Sequence, residues 1–193
     1  MPDTCAQDGK CAVGNTGPGG GIVFYVHPGG GTFASPGSDC GSSCRYLEAA
    51  PYDHSTKIAW CSITRTALGV TATGIGSGMA NTTKADATCT SGAIQIAADF
   101  DYNGKTDWHL PSKDELNELC KYALPTESTS AECSPAVLPA SVRRPFRLGH
   151  YWSSSEVLGF HAATDAWAFL FGYGTRGGWV KGSPELVRVV RAF

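Results

Sequence analysis

Residues 111–123 run Pro111-Ser112-Lys113-Asp114-Glu115-Leu116-Asn117-Glu118-Leu119-Cys120-Lys121-Tyr122-Ala123. Ser112 and Glu115 stand three apart, the spacing of a capping box, in which each side chain bonds a backbone N–H left open by the first turn. Leu116, Leu119, Cys120 and Ala123 recur at i, i+3, i+4 and i+7, which puts them on one apolar face. Asp114 and Glu115 suit the positive end of the helix dipole, and Lys121 the negative end. The spacing predicts an amphipathic helix over 113–123.

Weaker helical segments precede it, at about 78–87 and 92–100. Further upstream, Gly21-Ile22-Val23-Phe24-Tyr25-Val26 is β-branched and aromatic and reads as a buried strand. Residues 45–50 read as a short second strand. The glycine-rich run from Gly14 to Gly20 precedes its strand, whereas a phosphate-cradling loop follows one and opens a helix. Tight-turn packing is therefore expected there. Downstream, Tyr151-Trp152-Ser153-Ser154-Ser155-Glu156 is a strand. Ala166-Trp167-Ala168-Phe169-Leu170-Phe171 is apolar on both faces and so belongs in the middle of a sheet. A turn is expected over 172–178, with a return from Trp179 and a closing strand over 186–193. Helices in the middle and strands at both ends give one loop-rich α+β domain over 1–193, with 1–13 as a disulfide-closed extension.

Composition bounds the class. The chain has 193 residues, a net charge of −2 and only 17% charged residues. A nucleic-acid binder of the electrostatic kind would show a basic face, so none is expected as partner. The 24 glycines and 11 prolines call for many loops, yet 42% hydrophobic residues suffice for a core and exclude disorder. No apolar run approaches the ~18 residues of a transmembrane helix, so membrane insertion is not expected. Eight cysteines without tight zinc-type pairs point to disulfides and an oxidising compartment: extracellular, cell surface or virion. Eight cysteines allow 105 pairings. Neighbour pairing is the expectation: Cys5–Cys11, Cys40–Cys44, Cys61–Cys89 and Cys120–Cys133. Met1-Pro2-Asp3-Thr4-Cys5 lacks the regions of a signal peptide, which suggests a mature form, a piece of a longer chain or a virion protein.

Catalytic patterns are sparse. The five histidines are dispersed, and Gly74-Ile75-Gly76-Ser77-Gly78 does not have the spacing of a nucleophile elbow. No catalysis is expected, and no cofactor is required. Calcium is the one metal to weigh. Asp99-x-Asp101-x-Asn103-Gly104 matches the first half of an EF-hand loop, with Asp107 at its ninth position, but Leu110 occupies the twelfth, where a glutamate is needed. Asp99, Asp101 and Asn103 would be the first ligands; a polar turn before Trp108 is the plainer reading. Arg188 and Arg191 lie in an apolar strand and need internal carboxylates such as Glu156 or Glu115.

Aromatic density is highest over 151–179. Trp152, Trp167 and Phe171 belong to the core, whereas Phe160, Tyr173 and Trp179 stand beside glycines or in turns, where burial is harder. Exposed aromatics and arginines on glycine-supported loops are what recognition surfaces use.

Gly17-Pro18-Gly19-Gly20-Gly21-Ile22-Val23-Phe24-Tyr25-Val26 and Tyr46-Leu47-Glu48-Ala49-Ala50-Pro51 form one half of a wider pattern. Asp107-Trp108-His109-Leu110-Pro111-Ser112-Lys113-Asp114-Glu115-Leu116, Tyr151-Trp152-Ser153-Ser154-Ser155-Glu156, Ala166-Trp167 and Val190-Arg191-Ala192-Phe193 form the other. Together they resemble the family typified by the C-terminal domain of the Legionella collagen-like adhesin. The resemblance implies a C-type-lectin-like fold with paired N- and C-terminal strands. It also implies an adhesin role toward a protein or glycan on another cell or surface, often as a homo-oligomer. The Glu-Pro-Asn and Trp-Asn-Asp signatures of calcium-dependent sugar binding are absent. The stretch Trp108-His109-Leu110-Pro111 is also similar to formylglycine-generating relatives, whose reactive cysteine pair lies near the C-terminus; here the last cysteine is Cys133.

Family members tend to be polar across 157–185. This chain instead carries Val157, Leu158, Phe160, His161, Phe169, Tyr173, Thr175, Arg176 and Trp179 in that segment. Proteins diversified by retroelements resemble this, with variable side chains on the C-terminal part of a lectin-like scaffold. These nine positions are the expected ligand site. A structural subunit of a filament or virion is the alternative.

Overall fold

The computed structural model describes residues 5, 10–54, 56–124, 131–134 and 141–193. Three strands form one antiparallel sheet: β1 (Ile22–Val26), β2 (Tyr46–Ala49) and β6 (Val190–Ala192), in the order β1-β2-β6. A second antiparallel sheet holds β3 (Gly149–Glu156), β4 (Asp165–Phe171) and β5 (Thr175–Val180), with β4 in the middle as its two-faced apolarity required. Helices α1 (Gly78–Asp86), α2 (Ala93–Ala98) and α3 (Lys113–Ala123) lie between the sheets in sequence. The fold is α+β.

The second sheet is packed on both sides. Tyr151, Phe169 and Phe171 meet Leu116, Leu119 and Ala123 of α3 together with Leu47 and Val190 of the first sheet. Trp152, Ala166 and Ala168 meet Ala85 of α1, Ala93, Ile94 and Ala97 of α2, and the buried Trp60 and Trp108. Helix α3 begins with the capping box its sequence specifies. Ser112 Oγ accepts from Glu115 N at 3.3 Å, and Glu115 Oε2 accepts from Ser112 N at 2.8 Å. Glu115 is fully buried, and its other oxygen accepts from Gly76 N, so the cap also ties down the loop before α1.

All four expected disulfides are present: Cys5–Cys11, Cys40–Cys44, Cys61–Cys89 and Cys120–Cys133. No cysteine is free. Cys61–Cys89 closes the longest loop and staples the segment after Trp60 to the end of α1.

The expected pairing of N- and C-terminal strands is present, with β6 against β2 and β1 on the other side of β2. Three other expectations need correction. The closing strand is only Val190–Ala192. Before it, Leu186 forms a parallel bridge to Tyr151 of β3, and Val187 O and Val189 O accept from His54 N and Ala50 N in the segment after β2. The turn after β4 is confined to 172–174, where Gly172 and Gly174 adopt positive φ, and the strand resumes at Thr175. Trp167 is half-buried rather than core, with the Lys113 ammonium 5.3 Å from its ring centre.

Arg188 and Arg191 are buried and paired, but neither uses Glu156 or Glu115. Arg188 Nε donates to Asp53 Oδ1 at 2.7 Å and its Nη1 to Ala50 O at 2.6 Å. Arg191 is 2% exposed and meets three carboxylates: Asp107, Glu48 at 3.2 Å and Asp39 at 2.9 Å. Glu48 also accepts from Gly19 N at 2.9 Å and Gly21 N at 3.0 Å. The glycine-rich run thus does cradle an anion, the chain's own Glu48. A Cβ at Gly19 would stand 2.6 Å from Glu48 Oε1, so the close approach requires glycine there.

Burial pushes the Glu48 carboxyl above its ordinary value, against the opposing pull of Gly19, Gly21 and Arg191. Because its folded pKa lies above its unfolded one, Glu48 favours the fold most at acid pH, and that contribution is lost as pH rises through the folded value. Arg191→Met removes the only cation that, among the described residues, is placed against Glu48 and Asp107. It is expected to cost about 3–5 kcal/mol at neutral pH, and the deficit should shrink as pH falls and the stranded carboxylates take up protons. Denaturant unfolding at several pH values checks both the size and the slope.

Candidate ligand-binding surface

The nine expected positions divide sharply. Leu158, Phe160 and His161 are exposed on a short loop whose 3-10 turn spans Gly159–His161. Phe160 is fully exposed, and Leu158 is 76% exposed. Tyr173 and Thr175 are exposed at the turn between β4 and β5, and Trp179 is partly exposed near the end of β5. Val157 and Phe169 are buried, so these two are scaffold and not surface. Alternation along the strand explains Phe169: it shares a face with Tyr151 and Phe171, turned toward α3.

The structure brings some of these residues together and keeps others apart. Val157 N donates to Asp165 O at 3.3 Å, and a Cβ on Gly178 would touch Val157 and Asp165. The 158–161 loop therefore lies beside the far end of β5, near Trp179 and Val180. Tyr173 is at the opposite end of the hairpin, about 17 Å away along the strand. Arg176 projects toward α3, over the buried Phe169 ring at 6.0 Å, and pairs with Glu132.

Two features missed in the sequence shape this surface. His150 stacks on Trp179, with ring centres 4.1 Å apart, and both face Glu185. Trp179 Nε1 donates to Glu185 Oε1 at 2.9 Å, and Lys57 Nζ donates to Glu185 Oε2 at 3.3 Å. Partial burial lowers the His150 pKa, with Glu185 opposing the shift and Lys57 adding to it. A hollow of about 180 Å³ opens between this stack and Arg176, floored by Ala168, Gly177 and Gly178. A larger groove of about 450 Å³ runs between Arg176 and α3, past Lys113, Asn117 and Lys121. Nothing in the spacing of residues 150, 179 and 185 announces the stack; it depends on strand register.

The second missed feature is the anchor behind the loop. Lys181 is completely buried, and its Nζ donates to Glu156 Oε1 at 2.6 Å, Thr66 O at 3.0 Å, and Ala162 O and Ala163 O at 3.1 Å each. Glu156 in turn accepts from the backbone of Leu68, Gly69 and Val70. One buried ion pair thus fastens the base of the display loop to the 66–70 segment. The charges Glu156 was expected to balance, Arg188 and Arg191, have other partners.

The calcium candidates have a different local form. Tyr102 and Lys105 pair as a bridge around Asn103-Gly104, both at positive φ, which makes a tight hairpin turn of the Asn-Gly type. Asp107, the ninth loop position, points inward and accepts from Arg191 and from Asp39 N. Asp99, Asp101 and Asn103 are exposed. Among the described residues no group of three or more His, Cys, Asp or Glu side chains is placed to hold a metal ion.

Residues 50–191 match the Lcl C-terminal domain family. The chain belongs to that family. No curated protein matches the chain. The Lcl C-terminal domain match covers both packed faces of the second sheet but starts after β2. The β6 strand inside the match pairs with Leu47, Glu48 and Ala49 outside it, so the domain's first sheet needs residues beyond the matched span. Family membership and four disulfides are consistent with a surface-associated or secreted domain, and no helix among the described residues is long and apolar enough to cross a membrane.

Lys181→Met would leave Glu156 buried without its cation and release two carbonyls of the display loop. We expect a loss of at least about 3 kcal/mol in denaturant unfolding. Lys181→Arg should not restore stability, since a planar fork cannot replace an ammonium at the centre of four acceptors.

Proposed function

We propose that this chain is a non-catalytic ligand-binding domain of the adhesin or receptor-binding type, working outside the cell or on a cell or virion surface. The observation that carries the reading is the placement of Leu158 and Phe160. Two large apolar side chains stand in solvent on a loop whose base is held by a buried ion pair and whose neighbour is an exposed Trp179. A scaffold that invests this much order beneath an apolar display is built to present it. Apolar patches rimmed by polar groups are the usual signature of contact sites, and aromatics with arginine supply most of the energy in them.

The ligand surface in this reading consists of Leu158, Phe160, His161, Thr175, Arg176 and Trp179, with Tyr173 at the far end of the hairpin. The ligand is a protein or glycan on another surface, and no cofactor is needed. The fold is C-type-lectin-like in the sense the family resemblance implies. The unusual side chains in a segment that is polar in relatives support diversification of these positions by a retroelement; coding DNA without a nearby reverse transcriptase and a near-identical template repeat would remove that part.

A glycan array and a panel of immobilised surface proteins test the reading. Binding is expected from the oxidised protein and should fall at least about tenfold in Leu158→Ser/Phe160→Ser, with unfolding stability changed by less than about 0.5 kcal/mol because both side chains are exposed. No binding to either set at high protein concentration would contradict it.

A further inference from the structure

A second aromatic cluster lies outside the display surface and shares no residue with it. Trp108 is buried in the core, Phe100 and Tyr102 pack against the same core half-buried, and Tyr52 stands outermost at 50% exposure. Phe100 meets the Trp108 ring edge-on at 5.6 Å between centres. Tyr52 meets Phe100 and Tyr102 in the same way, at 6.2 and 5.8 Å. A ladder of rings thus runs from the core to solvent.

The outer rings border a pocket of about 220 Å³. Tyr52 and Phe100 give it aromatic lining, Ile96, Val187 and Val189 give it aliphatic lining, and Asp53 and His54 supply polar atoms. That volume is below the roughly 300–1,000 Å³ of drug-sized sites, so the ligand that fits is small.

Charge decides its chemistry. The one carboxylate in the lining is saturated. Asp53 Oδ1 takes Arg188 Nε and Nη2 at 2.7 Å each, and Oδ2 accepts from Arg147 at 3.1 Å and from the Tyr151 hydroxyl at 2.8 Å. Those bonds fill the four lone-pair sites of the carboxylate, and they tie both guanidiniums to Asp53 rather than to an incoming anion. Outside the lining, Asp99 and Asp101 stand on either side of Phe100 in the chain. Both are exposed, and among the described residues neither is paired with a cation. Asp86 of α1 adds to this field: burial, and then the nearby Asp99, push its carboxyl above the ordinary value. Unbalanced negative charge beside ring faces favours a cation. A primary ammonium would bring N–H groups that need acceptors, and Asp53 has none to spare. A quaternary ammonium has no N–H, and ring faces with nearby charge are what hold it.

We propose that this pocket binds a quaternary-ammonium cation of the choline type, held against the Tyr52 and Phe100 rings in the field of Asp99 and Asp101. The site is separate from the display surface, so a blank glycan or protein screen leaves it standing. Choline chloride titrated into the oxidised protein at low ionic strength, followed by saturation-transfer NMR and calorimetry, should bind saturably with a dissociation constant of about 1 mM or tighter. Its uncharged isostere, in which a tert-butyl group replaces the trimethylammonium, should bind at least about tenfold more weakly. Tyr52→Ala should weaken choline about fivefold or more. Asp99→Asn/Asp101→Asn should weaken it about threefold or more at low salt and leave the uncharged isostere unaffected. All three positions are exposed, and an unchanged thermal unfolding midpoint shows that each variant is folded. Flotation with phosphatidylcholine vesicles separates the sources of the cation: co-flotation assigns it to a lipid headgroup, and choline binding without co-flotation assigns it to a free small molecule. No saturable choline binding, equal affinity for choline and its uncharged isostere, or full binding by Tyr52→Ala overturns the proposal.

Discussion

One guanidinium holds the N-terminal loop, the first sheet and the core of this molecule together. Arg191 sits on β6, and its three carboxylate partners come from three separate segments: Glu48 on β2, Asp107 just before the Trp108–Leu110 segment, and Asp39 from the loop before β2. Glu48 passes the constraint on to the glycine-rich run through its bonds to Gly19 and Gly21. A cation facing more than one carboxylate in a region removed from water leaves little room for alternatives. Any displacement of β6 strands buried negative charge, which is far more expensive than losing a surface pair.

The same logic repeats twice at the edges of the second sheet. Arg188 and Asp53 lock the segment after β2 against Tyr151, whose hydroxyl donates to Asp53 at 2.8 Å and is pushed upward in pKa chiefly by burial. Lys181 and Glu156 lock the base of the display loop. With only 17% charged residues, the chain still places Arg188, Arg191, Lys181, Glu48 and Glu156 in its interior. Buried pairs of this kind, with four disulfides, do for a loop-rich chain what longer helices and strands do elsewhere. They specify where loops go, and so leave a few loop residues free to change.

How much of this can be read from sequence depends on whether the signal is local. The α3 boundaries and its capping box are written within thirteen residues, and the structure matches them from Lys113 to Ala123. The neighbour pairing of cysteines and the central place of β4 were also legible. The partners of Arg188, Arg191 and Glu156 were not, because Asp53, Asp107 and Lys181 are brought to them by chain reversals that leave no mark on spacing. Lys181 follows a strand like any solvent-facing lysine, and only the turn of the 162–163 carbonyls reveals its burial. The display positions were half legible. Phe160, Tyr173 and Trp179 betray themselves by glycine and turn neighbours, while Val157 and Phe169 needed the strand's alternation to be placed inside.

The matched family span and the buried charges describe the same division of labour. Residues 50–191 carry the display hairpin, its loop and three of the buried cations' carboxylate partners, Asp53, Asp107 and Glu156, while Glu48, Asp39 and the glycine-rich run complete the scaffold from outside. The central claim is that scaffold and display are energetically separate. Its most direct test is the thermal unfolding midpoint of one variant in which Leu158, Phe160, His161, Tyr173 and Thr175 are all replaced by serine or alanine. The account predicts a midpoint within a few degrees of the parent, since none of these side chains is buried. A fall of more than about 10 °C would show that the display residues help hold the fold together, and would contradict the account.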